Sequence, residues 1–110
     1  MKERKVWAYK NYFLEFIKEL SSAQLKKVEY VLDMLKTQDR VNVKFVKYLR
    51  NGLYEIRINS CNEALRVFFI FDDDSIVVLF NGIHKKTQKT SKSDIEQALR
   101  IKAEYYEWKK

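Results

Sequence analysis

The chain has 110 residues, 46% of them hydrophobic, and this length suits one domain, residues 1–110, with a single buried core. Two glycines and no proline argue against a linker, a collagenous segment or a disordered tail. The net charge of +7 implies an acidic partner such as nucleic acid, the ribosome or an acidic protein, although a basic surface can also serve solubility alone.

Cysteine content and hydropathy limit the compartment. Cys61 is the only cysteine, which excludes an intramolecular disulfide and a cysteine-based metal cluster; it fits a reducing cytosol and is interpreted as a strand-turn residue. The charged residues 1–5 are not followed by an apolar signal segment, and no apolar run reaches the length of a membrane span. We therefore expect a cytoplasmic, soluble protein without membrane contact.

The first third of the chain predicts a strand followed by a helical hairpin. Residues 6–9 are apolar and aromatic and suit an opening strand. Apolar residues recur at three- and four-residue steps between positions 12 and 20, after Asn11 as a plausible N-cap. The same period continues from position 25 to about 37, where Ser21 or Ser22 can cap the second helix. We expect the hairpin to pack one apolar side on something flat.

The middle of the chain predicts an antiparallel meander. Residues 38–52 are the least clear part, although they end in the turn signal Asn51-Gly52. Residues 53–58 then alternate between apolar and polar, 65–71 form an almost continuous apolar run, and 76–80 are rich in β-branched side chains. Tight connections between these runs favour hairpins.

A basic, polar segment begins after Gly82 and leads to the last predicted helix. Ser93 can cap this helix, and Glu96 three residues later completes a capping box. The fold class is therefore α+β, an antiparallel sheet meander with an N-terminal helical hairpin and a C-terminal helix. We expect the helices to cover one face of the sheet, which leaves Glu55, Arg57 and Arg66 on a free face.

Three strings in the second half carry a family resemblance: Gly52–Ile58, Leu65–Phe69 with Arg66 in place, and Leu79–Ala98 with its HKKTQKT segment. Together with the β-α-α-β-β-β-α order, they resemble the RelE/ParE toxin superfamily and most closely its HigB-like, phage-associated branch. The resemblance covers about residues 5–106. It departs at Ser91, where the family often has proline, and this loosens the entry to the last helix.

The resemblance implies the toxin of a type II toxin–antitoxin system. Its activity would be ribosome-dependent cleavage of translated mRNA by the RNA's own 2′-hydroxyl, assisted by acid–base groups and cations without a metal or a small-molecule cofactor. The implied partners are a cognate antitoxin protein, the ribosome and mRNA. The superfamily also contains ParE-type gyrase inhibitors without nuclease activity, and a non-catalytic RNA-binding module is a further alternative because fold alone does not fix function.

The candidate site residues are all basic. Arg57 and Arg66 can project from one sheet face towards a phosphate, because a guanidinium binds two oxygens and stays charged. His84 is the only histidine, a residue type that suits an acid or a base in catalysis. Lys86 completes the catalytic set, and the predicted RNA-binding residues are Lys85, Lys89 and Lys92. The structural alternatives are a salt bridge from Arg66 to Glu55 or Glu63, a surface position for His84, and general attraction of the lysines to RNA.

Two further groups are interpreted as structural. Three aromatic residues near the C-terminus, Tyr105, Tyr106 and Trp108, can stack on a base, but such side chains more often pack a helix on a sheet. Asp72, Asp73 and Asp74 lie at a predicted hairpin tip, where adjacent carboxylates diverge. We interpret them as a solvated turn and not as a metal site.

Overall fold

The computed structural model describes residues 3–110; Met1 and Lys2, which belong to the charged N-terminal run and to the predicted domain, lie outside the described residues. The elements in chain order are β1 (Lys5–Ala8), α1 (Tyr12–Ile17), α2 (Ser22–Thr37), β2 (Val46–Arg50), β3 (Leu53–Ser60), β4 (Glu63–Asp73), β5 (Ile76–Lys85) and α3 (Lys92–Lys109). Over these residues, no helix is both long enough and apolar enough to cross a membrane.

The strands described over residues 3–110 form one five-stranded sheet in the order β1-β5-β4-β3-β2. Strands β2 to β5 are an antiparallel meander, which confirms the predicted fold class, while β1 pairs with β5 in parallel. Two of the turns place both central residues at positive φ: Asn51 with Gly52, and Cys61 with Asn62. This conformation matches the twist of a two-residue hairpin, and it confirms Cys61 as a turn residue.

Helices cover both faces of the sheet. α1 and α2 pack on the face that presents Ile56, Val67 and Phe69, and α3 packs on the opposite face, over Phe68 and Phe80. The prediction that all helices share one face, leaving the other free, is therefore wrong. The cause lies in β4 and β5, which are apolar on both sides, so the second face also needs a cover.

Serines cap α2 and α3, whereas α1 follows Asn11 at the predicted N-cap position without a cap hydrogen bond from the Asn11 side chain. Ser21 and Gln24 form a complete capping box at α2, which agrees with one of the two predicted caps. At α3 the N-cap is Ser91, whose side chain accepts a hydrogen bond from the Asp94 N–H at 3.2 Å. The predicted cap at Ser93 is wrong by two residues, because the helix already begins at Lys92.

A bulge in β5 changes the direction of the side chains that follow it. Val67 pairs with Gly82 but Phe69 pairs with Leu79, so β5 carries one residue more than β4 in this interval. Beyond the bulge, His84 faces the α1 side. Gly82 is required here, since a Cβ at this position would lie 2.4 Å from the ring of Phe16.

Candidate nucleic-acid interface

Arg57 and Arg66 are cross-strand partners on β3 and β4, which confirms that they share one sheet face. Their environments nevertheless differ. Arg66 is completely buried, with 0% of its surface exposed, whereas Arg57 is partly exposed. The expectation that Arg66 lies on a free surface is wrong, because α3 and the segment before it cover this position.

The main polar partners of the Arg66 side chain are two backbone carbonyls and the Glu55 carboxylate. Its Nη1 donates to the Leu65 carbonyl at 2.9 Å and its Nη2 to the Gln88 carbonyl at 2.7 Å. The Nε atom lies 3.8 Å from Oε2 of Glu55, which gives a buried ion pair without a hydrogen bond from Nε. Burial lowers the pKa of Arg66 below its usual value, and the Glu55 carboxylate opposes that effect. The salt bridge to Glu55, one of the alternatives above, is the arrangement found.

The segment between β5 and α3, residues 86–91, is called the basic loop below. Arg66 holds it through the Gln88 carbonyl, and the Thr90 hydroxyl donates to the Glu55 carboxylate. Lys85 Nζ donates to Asp94 Oδ2 at 2.7 Å and to the Lys89 carbonyl at 3.2 Å. These contacts of Lys85 hold the basic loop against α3. The side chain of Lys89 in this loop is exposed.

The exposed cations on this side of the sheet surround a groove of about 260 Å³, called the Arg57 groove below. Its lining residues are Lys47, Tyr48, Leu49, Glu55, Arg57, Gln88, Lys89, Thr90 and Ile95. None of the ion pairs found among residues 3–110 involves Arg57, Lys47 or Lys89. Three cations without a carboxylate partner suit a phosphate of a nucleic acid.

His84 lies away from the Arg57 groove. Its ring centroid is 5.1 Å from that of Phe16 on α1, and its Nδ1 is 3.4 Å from Oε2 of Glu63. Glu63 also accepts a hydrogen bond from Gln24; this bond and the neighbouring His84 lower the pKa of Glu63. The exposed Lys86 is close enough to contribute to the same effect. The expectation that His84 completes a site on the arginine face is wrong, because the β5 bulge turns it to the other face.

The C-terminal aromatic residues pack as expected only in part. Tyr105 is buried and donates a hydrogen bond of 2.6 Å to Asp72, which also pairs with Lys109 at 2.6 Å. Burial raises the pKa of Tyr105 above its usual range. Asp72 is thus an anchor for α3 and not simply part of a solvated tip, while Tyr106 and Trp108 remain partly exposed.

One residue of the Arg57 groove could not be predicted from the sequence. Lys47, which lines the Arg57 groove, was not predicted: it lies opposite Glu55 because β2 shifts register near its end, and counting back from the Asn51-Gly52 turn would not place it there. Lys92, at the start of α3, is exposed as an RNA contact would require. Among residues 3–110, no cluster of three or more histidine, cysteine, aspartate or glutamate side chains is placed to hold a metal ion.

The fold is similar to that of a chain in a crystal structure of the RelB-RelE antitoxin-toxin complex from Methanococcus jannaschii, with a TM-score of 0.55 and 16% sequence identity over 70% of this chain and 87% of that chain. This likeness establishes a RelE-like α+β fold. The family model described as "Phage derived protein Gp49-like (DUF891)" matches residues 15–103, and the chain belongs to this family. No curated protein matches the sequence.

Proposed function

We propose that this protein is the toxin of a type II toxin–antitoxin pair, of the HigB-like branch, and that it cleaves translated mRNA on the ribosome. The observation that carries the proposal is the Arg57 groove, where Arg57, Lys47 and Lys89 converge without a carboxylate bound to any of them. The Gp49-like family and the RelE-like fold support it, because the similar solved structure is a complex of a toxin with its antitoxin.

The chemistry needs no metal. The 2′-hydroxyl of the RNA loses its proton to a water molecule as its oxygen attacks the adjacent phosphorus. The bond to the 5′-oxygen then breaks, charge accumulates on the phosphoryl oxygens, and a 2′,3′-cyclic phosphate forms. Arg57 binds these oxygens with its planar fork, and a lysine of the groove, Lys47 or Lys89, donates the proton to the leaving oxygen. Lys86 and Lys92 are exposed outside the groove lining, Lys86 near Glu63 and His84, and they attract the RNA backbone from the surrounding surface.

Arg66 and Lys85 act through the basic loop and not on the RNA. The Arg66 contacts to Gln88 and Glu55 and the Lys85 contact to Asp94 fix the loop that carries Lys89. Both are therefore positioning residues. His84 has no role in proton transfer in this proposal, because it is held against Phe16 and Glu63 on the other face.

The proposed protein partner is an antitoxin that covers the Arg57 groove with an acidic segment. In this chain, basic residues outnumber acidic ones by six to two in residues 40–71 and by eight to four in residues 84–110. These two segments contribute Arg57, Lys47 and Lys89, so an acidic segment would neutralise the surface that attracts RNA.

The test is mapping of transcript 5′ ends after brief induction in bacteria, with wild type, Arg57→Ala and Arg100→Ala as the matched control. Arg100 is an exposed arginine on α3 outside the Arg57 groove. We expect new ends within translated regions for the wild type and the control, and their loss in Arg57→Ala.

Three other results would contradict the proposal. Growth arrest without new ends, accompanied by DNA damage signalling, would favour a gyrase inhibitor. Binding of RNA without cleavage, on or off the ribosome, would favour a non-catalytic RNA-binding module. New ends of equal abundance in Arg57→Ala would remove Arg57 from the chemistry.

A further inference from the structure

A second groove, called the Tyr30 groove, opens on the other side of Arg57, between α2 and the segment that leads into β2. Its volume is about 430 Å³, and its lining residues are Lys27, Tyr30, Val31, Lys44, Phe45, Arg57, Ile58 and Asn59. The groove exists because β2 begins only at Val46, which pairs with Ile56, so the end of β3 extends beyond its neighbour.

Aromatic and apolar side chains form the floor of the Tyr30 groove. Val31 and Ile58 are buried beneath it, and the Tyr30 and Phe45 rings meet at 83° with centroids 6.3 Å apart. Tyr30 is 60% exposed, which is high for a ring with this apolar neighbourhood. An exposed aromatic face next to a second ring is a surface on which an unstacked nucleobase can lie.

Cations surround this floor. Lys27 and Lys44 come from opposite walls and Arg57 from the end nearest the Arg57 groove, and none of the lining residues described within 3–110 is acidic. Lys44 Nζ lies 5.5 Å from the centre of the Phe45 ring. Basic residues interleaved with aromatic ones suit single-stranded nucleic acid, because the charges track the phosphates while the rings stack on bases of any sequence.

The same contacts disfavour a peptide that would add as a strand to the open end of β3. Such a peptide must pair with backbone groups of that edge. The Asn59 carbonyl already accepts a hydrogen bond from Lys27 Nζ at 3.1 Å. The groove therefore suits a ligand that binds aromatic rings and cations better than one that pairs with backbone groups.

We propose that the Tyr30 groove is a nucleotide subsite for single-stranded RNA that continues from the Arg57 groove. One base stacks on Tyr30 beside Phe45, and the flanking phosphates lie at Lys27 and Lys44. Arg57 lines both grooves and joins the two parts of the path. This inference rests on the proposed function, since it identifies where the RNA extends outside the reacting centre.

The test measures binding separately from cleavage. The probe is a fluorescein-labelled oligouridylate of roughly eight nucleotides, within the span of known single-strand sites. All of its 2′-hydroxyls are methylated, so that it lacks the nucleophile for cleavage. Fluorescence anisotropy with the full chain, over a series of salt concentrations, gives the Kd and its salt dependence for each variant.

The variants separate stacking from charge. We expect Tyr30→Ala to weaken binding about fivefold and Tyr30→Phe to stay within about twofold of wild type, because the second keeps the ring. Lys27→Ala with Lys44→Ala should reduce the salt slope by about 1.4, as expected for two lost contacts to single-strand phosphates. Lys26→Ala is the matched control, since Lys26 is an exposed lysine of α2 outside the groove.

Two results would overturn the subsite. One is equal binding by wild type, Tyr30→Ala and Tyr30→Phe, with the lysine pair no different from Lys26→Ala. The other is unchanged RNA binding by Tyr30→Ala together with loss of the antitoxin in co-purification, which would make the groove a protein site. The nuclease proposal can fail while the subsite proposal holds. In that case the wild type would bind the probe through Tyr30 and Lys27, but no transcript would be cut.

Discussion

At the scale of single residues, Arg66 shows how a buried charge can serve an exposed site. Its guanidinium is shielded from solvent, yet it fixes the Gln88 carbonyl and so the path of the basic loop. Replacing Arg66 would release that loop and leave Glu55 buried without its cation. Loss of toxicity in an Arg66 variant would therefore not identify a phosphate contact.

We expect Arg66→Met to lower the free energy of unfolding by about 3–5 kcal/mol, because it leaves the buried Glu55 carboxylate without a cation. The double variant Arg66→Met with Glu55→Gln should recover part of that loss, since the amide oxygen can still accept from Thr90. Urea denaturation of both variants measures the difference. A single variant that loses less than about 1 kcal/mol would show that the ion pair is not essential to the fold.

Gly82 provides a second prediction at this scale. A methyl group there would collide with the Phe16 ring, so Gly82→Ala should destabilise the protein by about 1–3 kcal/mol, the usual cost of overpacking. Adding Phe16→Leu should make the alanine better tolerated than it is in the wild-type background. Thermal unfolding of the four proteins of this cycle gives the coupling, and simple additivity of the two changes would contradict the contact.

At the scale of the elements, the entry to α3 depends on one serine. Ser91 accepts from the Asp94 N–H and donates to its carboxylate at 2.7 Å. We expect Ser91→Ala to cost about 1 kcal/mol of stability. Ser93→Ala removes only an exposed hydroxyl contact of 3.2 Å with Ser91 and should stay within about 0.5 kcal/mol. Equal losses measured by urea denaturation would mean that the cap is not at Ser91.

The three long strands could be predicted from the sequence because their signal is local: alternation in β3, and apolar runs in β4 and β5. The side on which α3 packs is a tertiary property, but a hint was present. Residues 65–71 are almost continuously apolar, a pattern typical of a strand that is buried on both faces. The charges of Glu55, Arg57 and Arg66 favoured an open face instead.

The candidate site could also be predicted in part from the local alternation of side chains along the strands. Pairing across a short turn brings Arg57 and Arg66 together, and this follows from alternation along adjacent strands. The β5 bulge and the β2 register shift do not follow from it, and they decide that His84 leaves the arginine face and Lys47 joins it. A change of one residue in register reverses the faces of the side chains that follow.

At the scale of the whole molecule, α3 and the basic loop act as a cover that also builds the site. The cover buries Arg66 and the second apolar face, and its loop carries Lys89 to the Arg57 groove. The proposed RNA path therefore depends on how firmly α3 is held at both ends. Asp94 binds Lys85 at the first end, and Asp72 binds Lys109 and Tyr105 at the second.

These two carboxylates make stability sensitive to acid. Hydrogen bonds from Lys109 and Tyr105 lower the pKa of Asp72, and at Asp94 burial acts to raise the pKa but hydrogen bonds from Lys85 and Ser91 outweigh it. Both folded pKa values lie below the ordinary 3.8, so the unfolded chain binds more protons as the pH falls. The stabilisation is complete above about pH 5 and is lost on the way down through the folded pKa values.

The variant Asp72→Asn with Asp94→Asn removes both groups. We expect it to be less stable than wild type at neutral pH, and its unfolding free energy should fall less steeply between about pH 5 and pH 3, because fewer groups take up protons on unfolding. Urea denaturation across this pH range measures the slope. Glu15→Gln is the control, because the Glu15 pair with Lys18 is exposed and should leave the slope close to that of wild type. An equally steep fall in the double variant would place the acid sensitivity elsewhere than at the two ends of α3.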